Sequence, residues 1–240
     1  MPARTNVAIP ARFVKFDLNC DLGENEPRAR TGALMRYVTS ANVACGGHAG
    51  DVESMRAAVK LAVKHKVRIG AHPGLYDRAN FGRIAQQITA AEFKTLVFQQ
   101  VSALERIARD ASVRLHHIKL HGALYHMVEE ESALRRALVE LVKEFWPKLI
   151  VYSIAGGEVT GAVAKAGLKS WGEGFLDRGY TEDGRLITRN QPGAVLTLRE
   201  FEERLQSLHR LPIQTKTWCI HSDTKDAVEF ARQAKEALSL

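Results

Sequence analysis

Cysteine is scarce in this chain: three residues, Cys20, Cys45 and Cys219, with no CxxC pair. An odd number at that spacing suits neither a disulfide framework nor a zinc knuckle, so reduced thiols are expected. Long apolar runs are missing too: no segment approaches the roughly 18 apolar residues of a membrane span. The basic stretch 1–16 contains no apolar core of the kind that marks a secretory leader, so a cytoplasmic protein outside membranes is expected. No GxxxxGK[ST] occurs, which excludes a Walker A phosphate loop. Charge is unbalanced, with 34 Lys and Arg against 27 Asp and Glu for a formal +7. The basic residues are scattered in pairs at most, such as Arg28 with Arg30 or Arg135 with Arg136, and no aromatics interleave them as in nucleic-acid stacking surfaces. The expected partner is therefore an anionic small molecule rather than nucleic acid. Nor is there a Pro- or Gly-rich linker or a shift in composition, so residues 1–240 read as one domain.

What is present is alternation. Strand-forming runs at 13–19, 38–44, 66–71, 113–119, 149–153, 169–174 and 217–221 are separated by helical patterns, one unit about every 30 residues. Thr89 with Glu92 and Thr197 with Glu200 form capping boxes. Asp51 is placed to cap a helix running to Lys64, and a last helix from about Thr224 buries Ala227, Ala231 and Ala234. After Thr89, the residues Phe93, Val97, Val101, Leu104 and Ala108 make one apolar stripe. Seven parallel βα units with right-handed crossovers predict an α/β fold, a deformed seven-stranded parallel (β/α) barrel; an open doubly wound sheet is the competitor. Residues 172–195, rich in Gly, Asp and Arg, break the alternation as a long excursion with a small hairpin around Asp183-Gly184.

Four strand runs end in a histidine just before a helix start: His48, His72, His121 and His221. Titratable groups at equivalent strand ends converge on one mouth of a barrel, where such folds place their chemistry. In the first strand, Asp17, Asn19 and Asp21 alternate onto one side, with Glu24 following. Polar groups on one side of a central strand need partners, so either Asp17 and Asn19 satisfy loop backbone or Asp21 is a general base or ligand. Three glycines surround His48 at a helix start, where amides approach an anion closely, and Asn42 precedes them. His117, Lys119 and His121 share one side of the fourth strand; a lysine there binds a carboxylate or stabilises an oxyanion. The run from Ser153 to Gly157 forms a second candidate anion cradle, and Glu173, Asp177, Arg178, Tyr180 and 189–191 a candidate lid. Asp223, two residues past His221, either lines the site or only caps the last helix. His65, His116 and His209 read as surface residues.

Together, Asp17-Leu-Asn-Cys-Asp-Leu-Gly-Glu24, the segments 39–51, 71–73 and 117–125, Asp177-Arg178 with Asp183-Gly184, Gln191-Pro-Gly-Ala-Val195 and Cys219-Ile-His-Ser-Asp-Thr224 resemble the LamB/YcsF family, nearly end to end and in order. The resemblance implies a deformed barrel like that of glycoside hydrolases and sugar deacetylases. It further implies ATP-coupled cleavage of 5-oxo-L-proline to L-glutamate, as the A subunit of a 5-oxoprolinase working with two other subunits of B and C type; a homo-oligomer is also compatible. Three places depart from the family pattern, all expected at the mouth: a short basic 25–36, Gly47 for a usual Phe, and Leu120 for a usual Pro. On this reading Asp21, His48, His72, Lys119 and His121 are catalytic. Asp21 or His48 is the base that aligns the attacking water, His72 and His121 donate to the oxyanion or the departing group, and Lys119 with Arg178 neutralises carboxylate or phosphate. Asp17, Asn19, Asn42, Arg178, His221 and Asp223 bind substrate. The deacetylase-like shape leaves room for a divalent metal on Asp21, His48 and His72. Two other readings stand beside it: a metal-dependent hydrolase of another cyclic or N-acyl amide that uses no ATP, and a non-catalytic substrate-binding subunit.

Overall fold

The computed structural model describes residues 16–208, 215–238 and 240. Seven strands, β1 (Asp17–Leu22), β2 (Ser40–Ala44), β3 (Arg68–His72), β4 (His117–Lys119), β5 (Ile150–Ile154), β6 (Lys169–Phe175) and β7 (Thr217–His221), close into a barrel in chain order. Every pairing is parallel. The closing pair sets Asp17 opposite Thr217 and Asp21 opposite His221, which rules out the open doubly wound sheet. The expected strand at 13–19 begins its pairing at Asp17 and runs past Asn19 to Leu22; residues 13–15 lie outside the described residues, as does His209.

Around the barrel run α1 (Arg28–Leu34), α2 (Val52–His65), α3 (Ala90–Asp110), α4 (Gly122–Glu130), α5 (Ser132–Phe145), α6 (Glu158–Lys165), α7 (Leu198–Gln206) and α8 (Ala227–Ala237). The reciprocal caps expected from the sequence form: Asp51 accepts from the Ser54 amide, and Thr89 and Thr197 accept from Glu92 and Glu200. The stripe on α3 is buried. The last helix starts later than expected, because the Thr224 hydroxyl donates to Asp177 instead of opening a helix. Between β6 and α7 the chain makes its excursion, pinned by bridges Arg178 to Val195 and Tyr180 to Leu186; its tip turns at Gly184 in the left-handed region (φ +81°), as the hairpin reading requires. No described helix is long and apolar enough to cross a membrane.

The two faces of the strands divide the labour. Outward residues such as Leu18, Cys20, Leu22, Val43, Ile69, Ile118 and Ile220 are buried in the apolar core. The inside of the barrel is polar instead. Asp17 accepts from Ser40, Thr39, Thr217, Tyr152 and Arg68, so both its oxygens are fully engaged at the N-terminal end of the barrel. One step up, Asn19 donates to Thr217 and Glu173, and Asn42 donates to Asn19 and Asp21. His117 reaches the Asn42 oxygen through Nε2 at 2.6 Å and stacks on Tyr152 at 4.0 Å. Gly70 makes this possible, since a Cβ there would overlap the His117 ring.

Candidate active site

At the C-terminal end of β1, Gly23 adopts φ +76° and turns the chain so that Glu24 folds back over the mouth. The Gly23 and Glu24 amides donate to the Glu26 carboxylate at 2.8 Å each, fixing the turn. Glu24 Oε1 then lies 2.9 Å from His48 Nε2, 3.1 Å from His121 Nδ1 and 3.5 Å from His72 Nε2. These histidines come from the ends of three successive strands, and all four side chains are buried. His48 stacks parallel on His121 with centroids 3.5 Å apart, and His72 stands edge-on to both.

Two of the three far nitrogens are committed. His72 Nδ1 donates to the Lys119 carbonyl and His121 Nε2 to that of Phe81, both at 2.8 Å. The near nitrogens, His72 Nε2 and His121 Nδ1, therefore face each other at 3.0 Å and both face Glu24. Three acceptors converging in a buried place call for a proton or a cation between them. Carbonyl-anchored imidazoles beside a carboxylate are the donor set and outer support that divalent metals use. The metal set this structure fits is thus Glu24, His48, His72 and His121, not the expected Asp21, His48 and His72. The group Asp21, Cys219 and His221 also converges, but the Lys119 ammonium already occupies that side. It lies 2.9 Å from Asp21, 3.0 Å from Glu173 and 3.0 Å from the Cys219 sulfur.

Charge follows from this packing. Burial opposes ionisation of Asp21, yet His72 and Lys119 hold its carboxyl well below the usual range. Glu24 is likewise held low against burial by hydrogen bonds from the three histidines. Burial would also depress His72, but Asp21 and Glu24 raise it to about 9. His48 is pushed down to about 4 by burial, so at neutral pH it donates to Glu24 as a neutral imidazole. Its Nδ1 has no partner in its buried position. Lys119 is raised well above its ordinary value, its burial outweighed by Asp21, Cys219 and Glu173.

Above this floor opens a cavity of about 770 Å³. Asp21, Glu24, Glu173, His121 and His221 line its base, and residues 184–189 of the excursion form one wall. His221 Nδ1 donates to the buried Asp177 carboxylate at 3.0 Å, which leaves Nε2 as the free nitrogen; that nitrogen stands 3.9 Å from Asp21 Oδ2.

The LamB/YcsF family profile matches residues 16–240. This chain belongs to the LamB/YcsF family. Over 238 residues it is 42% identical to the A subunit of 5-oxoprolinase from Bordetella pertussis, covering 93% of this chain and 94% of that protein. It is 40% identical over 240 residues to the protein of that name in Brevibacillus brevis, with the same coverage. The crystal structure of the lactam utilization protein from Thermus thermophilus superposes with a TM-score of 0.84 at 34% identity, covering 94% of this chain and 96% of that one.

Within this LamB/YcsF barrel the expected site residues separate into layers. Asp21, His48, His72, Lys119 and His121 meet at the mouth, although His48, His72 and Lys119 lie beneath the cavity floor rather than on it. Asp17, expected to bind substrate, lies away from the mouth: it sits four residues lower on β1, with its oxygens engaged. Asn19 and Asn42 also lie below, supporting Asp21 and Lys119. Arg178 lines the cavity, but its Nε and Nη2 donate to the Ala194 and Ile187 carbonyls at 2.8 Å each and brace the excursion. Glu173 and Asp177, expected in a lid, are buried; Glu173 faces into the barrel, while Asp177 is bound to His221 and Thr224. The cradle from Ser153 to Gly157 is filled by the Glu129 carboxylate, which accepts from Ser153 and the Val159 amide. Asp223 does not cap α8 and instead pairs with Arg83 and Arg189. At Gly47 a side chain would overlap the Gly74 carbonyl and Gln100, which accounts for glycine there. His116 is half-buried against His117 and Trp171 rather than on the open surface. The residue that sequence reasoning missed is Glu24. Its only signal was its place three residues beyond Asp21, the last of the alternating Asp17, Asn19 and Asp21, after a glycine that turns the chain.

Proposed function

We propose that this chain is the lactam-opening A subunit of an ATP-dependent 5-oxoprolinase, converting 5-oxo-L-proline to L-glutamate with two further subunits of B and C type. The observation that carries the proposal is the buried Glu24–His48–His72–His121 cluster beside Asp21 and Lys119 at the floor of the cavity. The similarity to proteins named as 5-oxoprolinase A subunits and as a lactam utilization protein supports the substrate class.

A lactam carbonyl is a poor electrophile, and phosphorylation of its oxygen by ATP answers this by activating the ring carbon: water adds to that carbon, the C–N bond breaks to leave the acyl phosphate of glutamate, and a second water releases phosphate. His221, oriented by Asp177, presents a free Nε2 to the cavity and takes the proton of the attacking water. Asp21 is not assigned this role, because His72 and Lys119 hold its carboxyl well below the usual range. Asp21, fixed from below by Asn42 and Lys119, orients the water instead. His72, protonated below about pH 9, supplies the proton held between itself and His121, and His121 passes it to the departing nitrogen from the cavity floor. His48 acts as a support, holding Glu24 and stacking on His121. In place of that proton, Glu24, His48, His72 and His121 would hold a divalent metal, which would supply Lewis-acid polarisation at this floor.

Asp21→Asn and His221→Gln in the reconstituted three-subunit enzyme test the assignment. Each is expected to lower ATP-coupled glutamate release about 10³-fold. Full turnover in either variant refutes the role assigned to that residue. Glutamate release that persists when ATP is omitted and stops with a chelator favours instead a metal-dependent amide hydrolase, the reading the histidine cluster would then carry.

A further inference from the structure

The floor of the cavity is anionic, with Asp21, Glu24 and Glu173, yet the proposed substrate carries a carboxylate that must be held near it. Four guanidiniums line the cavity: Arg83, Arg178, Arg185 and Arg189. Arg178 is tied to two carbonyls, and Arg185 pairs with Asp183 at the exposed tip. Arg83 and Arg189 remain, and both converge on one carboxylate of the chain itself. Arg83 Nη2 lies 2.6 Å from Asp223 Oδ2, and Arg189 Nη2 lies 2.7 Å from each Asp223 oxygen.

Resting on the 5-oxoprolinase reading, we infer that Arg83 and Arg189 are the residues that select a carboxylated lactam, and that Asp223 holds their place until the substrate carboxylate displaces it. Two cations sharing one anion leave an uncompensated positive charge at the rim. All three side chains are partly exposed, and ion pairs of that exposure are weakly held, so exchange for a ligand carboxylate costs little. Planar guanidiniums also match a carboxylate in two-point fashion, which a lysine does not.

Placement couples the pair to the reacting groups. The Arg83 guanidinium lies over the Phe81 ring at 4.7 Å, and the Phe81 carbonyl accepts from His121. Phe81 and Gly82 both take positive φ, bending this strap over His48 and His121. Asp223 follows His221 by two residues, and Arg189 stands on the excursion that leaves the barrel at Asp177. Exchange of Asp223 for a ligand would therefore tie the excursion and the strap to the substrate at once.

The test uses the reconstituted complex with ATP, 5-oxo-L-proline as substrate and 2-pyrrolidinone, the same ring without a carboxylate, as competitor. Arg83→Gln and Arg189→Gln are each expected to raise KM for 5-oxo-L-proline about tenfold, with kcat and the inhibition constant of 2-pyrrolidinone held within about twofold. Arg189→Lys should recover part of the loss, and Asp223→Asn should lower KM by removing the internal competitor. An unchanged KM in the glutamine variants, or equal weakening of both ligands, overturns the inference while leaving the activity intact. A wild-type complex that releases no glutamate from 5-oxo-L-proline fails the functional reading itself, and the inference falls with it.

Discussion

Asp17 and Asp21 lie on the same strand, face the same barrel interior and are both buried, yet they do opposite things. Asp17 is saturated: five donors from four strands and one loop residue use up its lone pairs. Asp21 has one oxygen held by Asn42 and Lys119, while the other meets only longer contacts, 3.4 Å to His72 and 3.9 Å to His221, and faces the cavity. The same contrast separates His117, settled between Asn42 and Tyr152, from the histidines around Glu24, whose acceptor atoms oppose one another. Burial of a polar group is thus no mark of function in this barrel. Incomplete pairing of a buried polar group is.

Exchanging the two aspartates for asparagine gives the largest expected effect. Asp21→Asn should cost about 10³-fold in turnover, while Asp17→Asn, which turns an amide toward its donors, should cost about 3 kcal/mol of stability with turnover per folded molecule retained. Urea denaturation alongside glutamate release reads both; equal stability losses would break the distinction between the two ends of the strand.

A pH series on chelator-treated protein sharpens it. His72 is raised from 6.5 in the unfolded chain to about 9, so its contribution is complete below pH 6.5 and lost as pH rises through about 9. The full change is on the order of 3 kcal/mol. His48, lowered to about 4, has the opposite sign: its contribution is present above 6.5 and lost as pH falls toward 4. His72→Gln should remove the alkaline slope in urea midpoints, and a variant that keeps it would place the titration elsewhere.

The smallest expected effect lies at the filled cradle. Glu129→Gln should cost about 1 kcal/mol through the α6 N-terminus and leave KM for 5-oxo-L-proline unchanged. A change in KM would mean that the cradle takes a ligand after all.

The barrel was legible because its signals are local: alternating strands, three capping sequences and histidines at strand ends each report on a few neighbouring residues. What could not be read depends on distance across the barrel. Period two put Asp17, Asn19 and Asp21 on one side but carried no information about height above the floor, so Asp17 was grouped with the mouth. Glu129 and the Ser153–Gly157 cradle meet only through the packing of α4 against α6. Glu24 lies just past the last period-two position, and only the turn at Gly23 brings it over three histidines. Arg178 looked available because a sequence does not reveal which carbonyls an excursion will present to a guanidinium.

Lys119 bears on the order of events in the life of the molecule. With a permanent ammonium set against Asp21 and Glu173, part of the negative charge gathered by the closing barrel is balanced by the chain's own atoms. Folding therefore need not wait for an ion to be delivered, in contrast to small domains that stay unfolded until they are loaded. Whatever enters beside Glu24 arrives at a finished pocket, and its removal should empty the site without dismantling the walls.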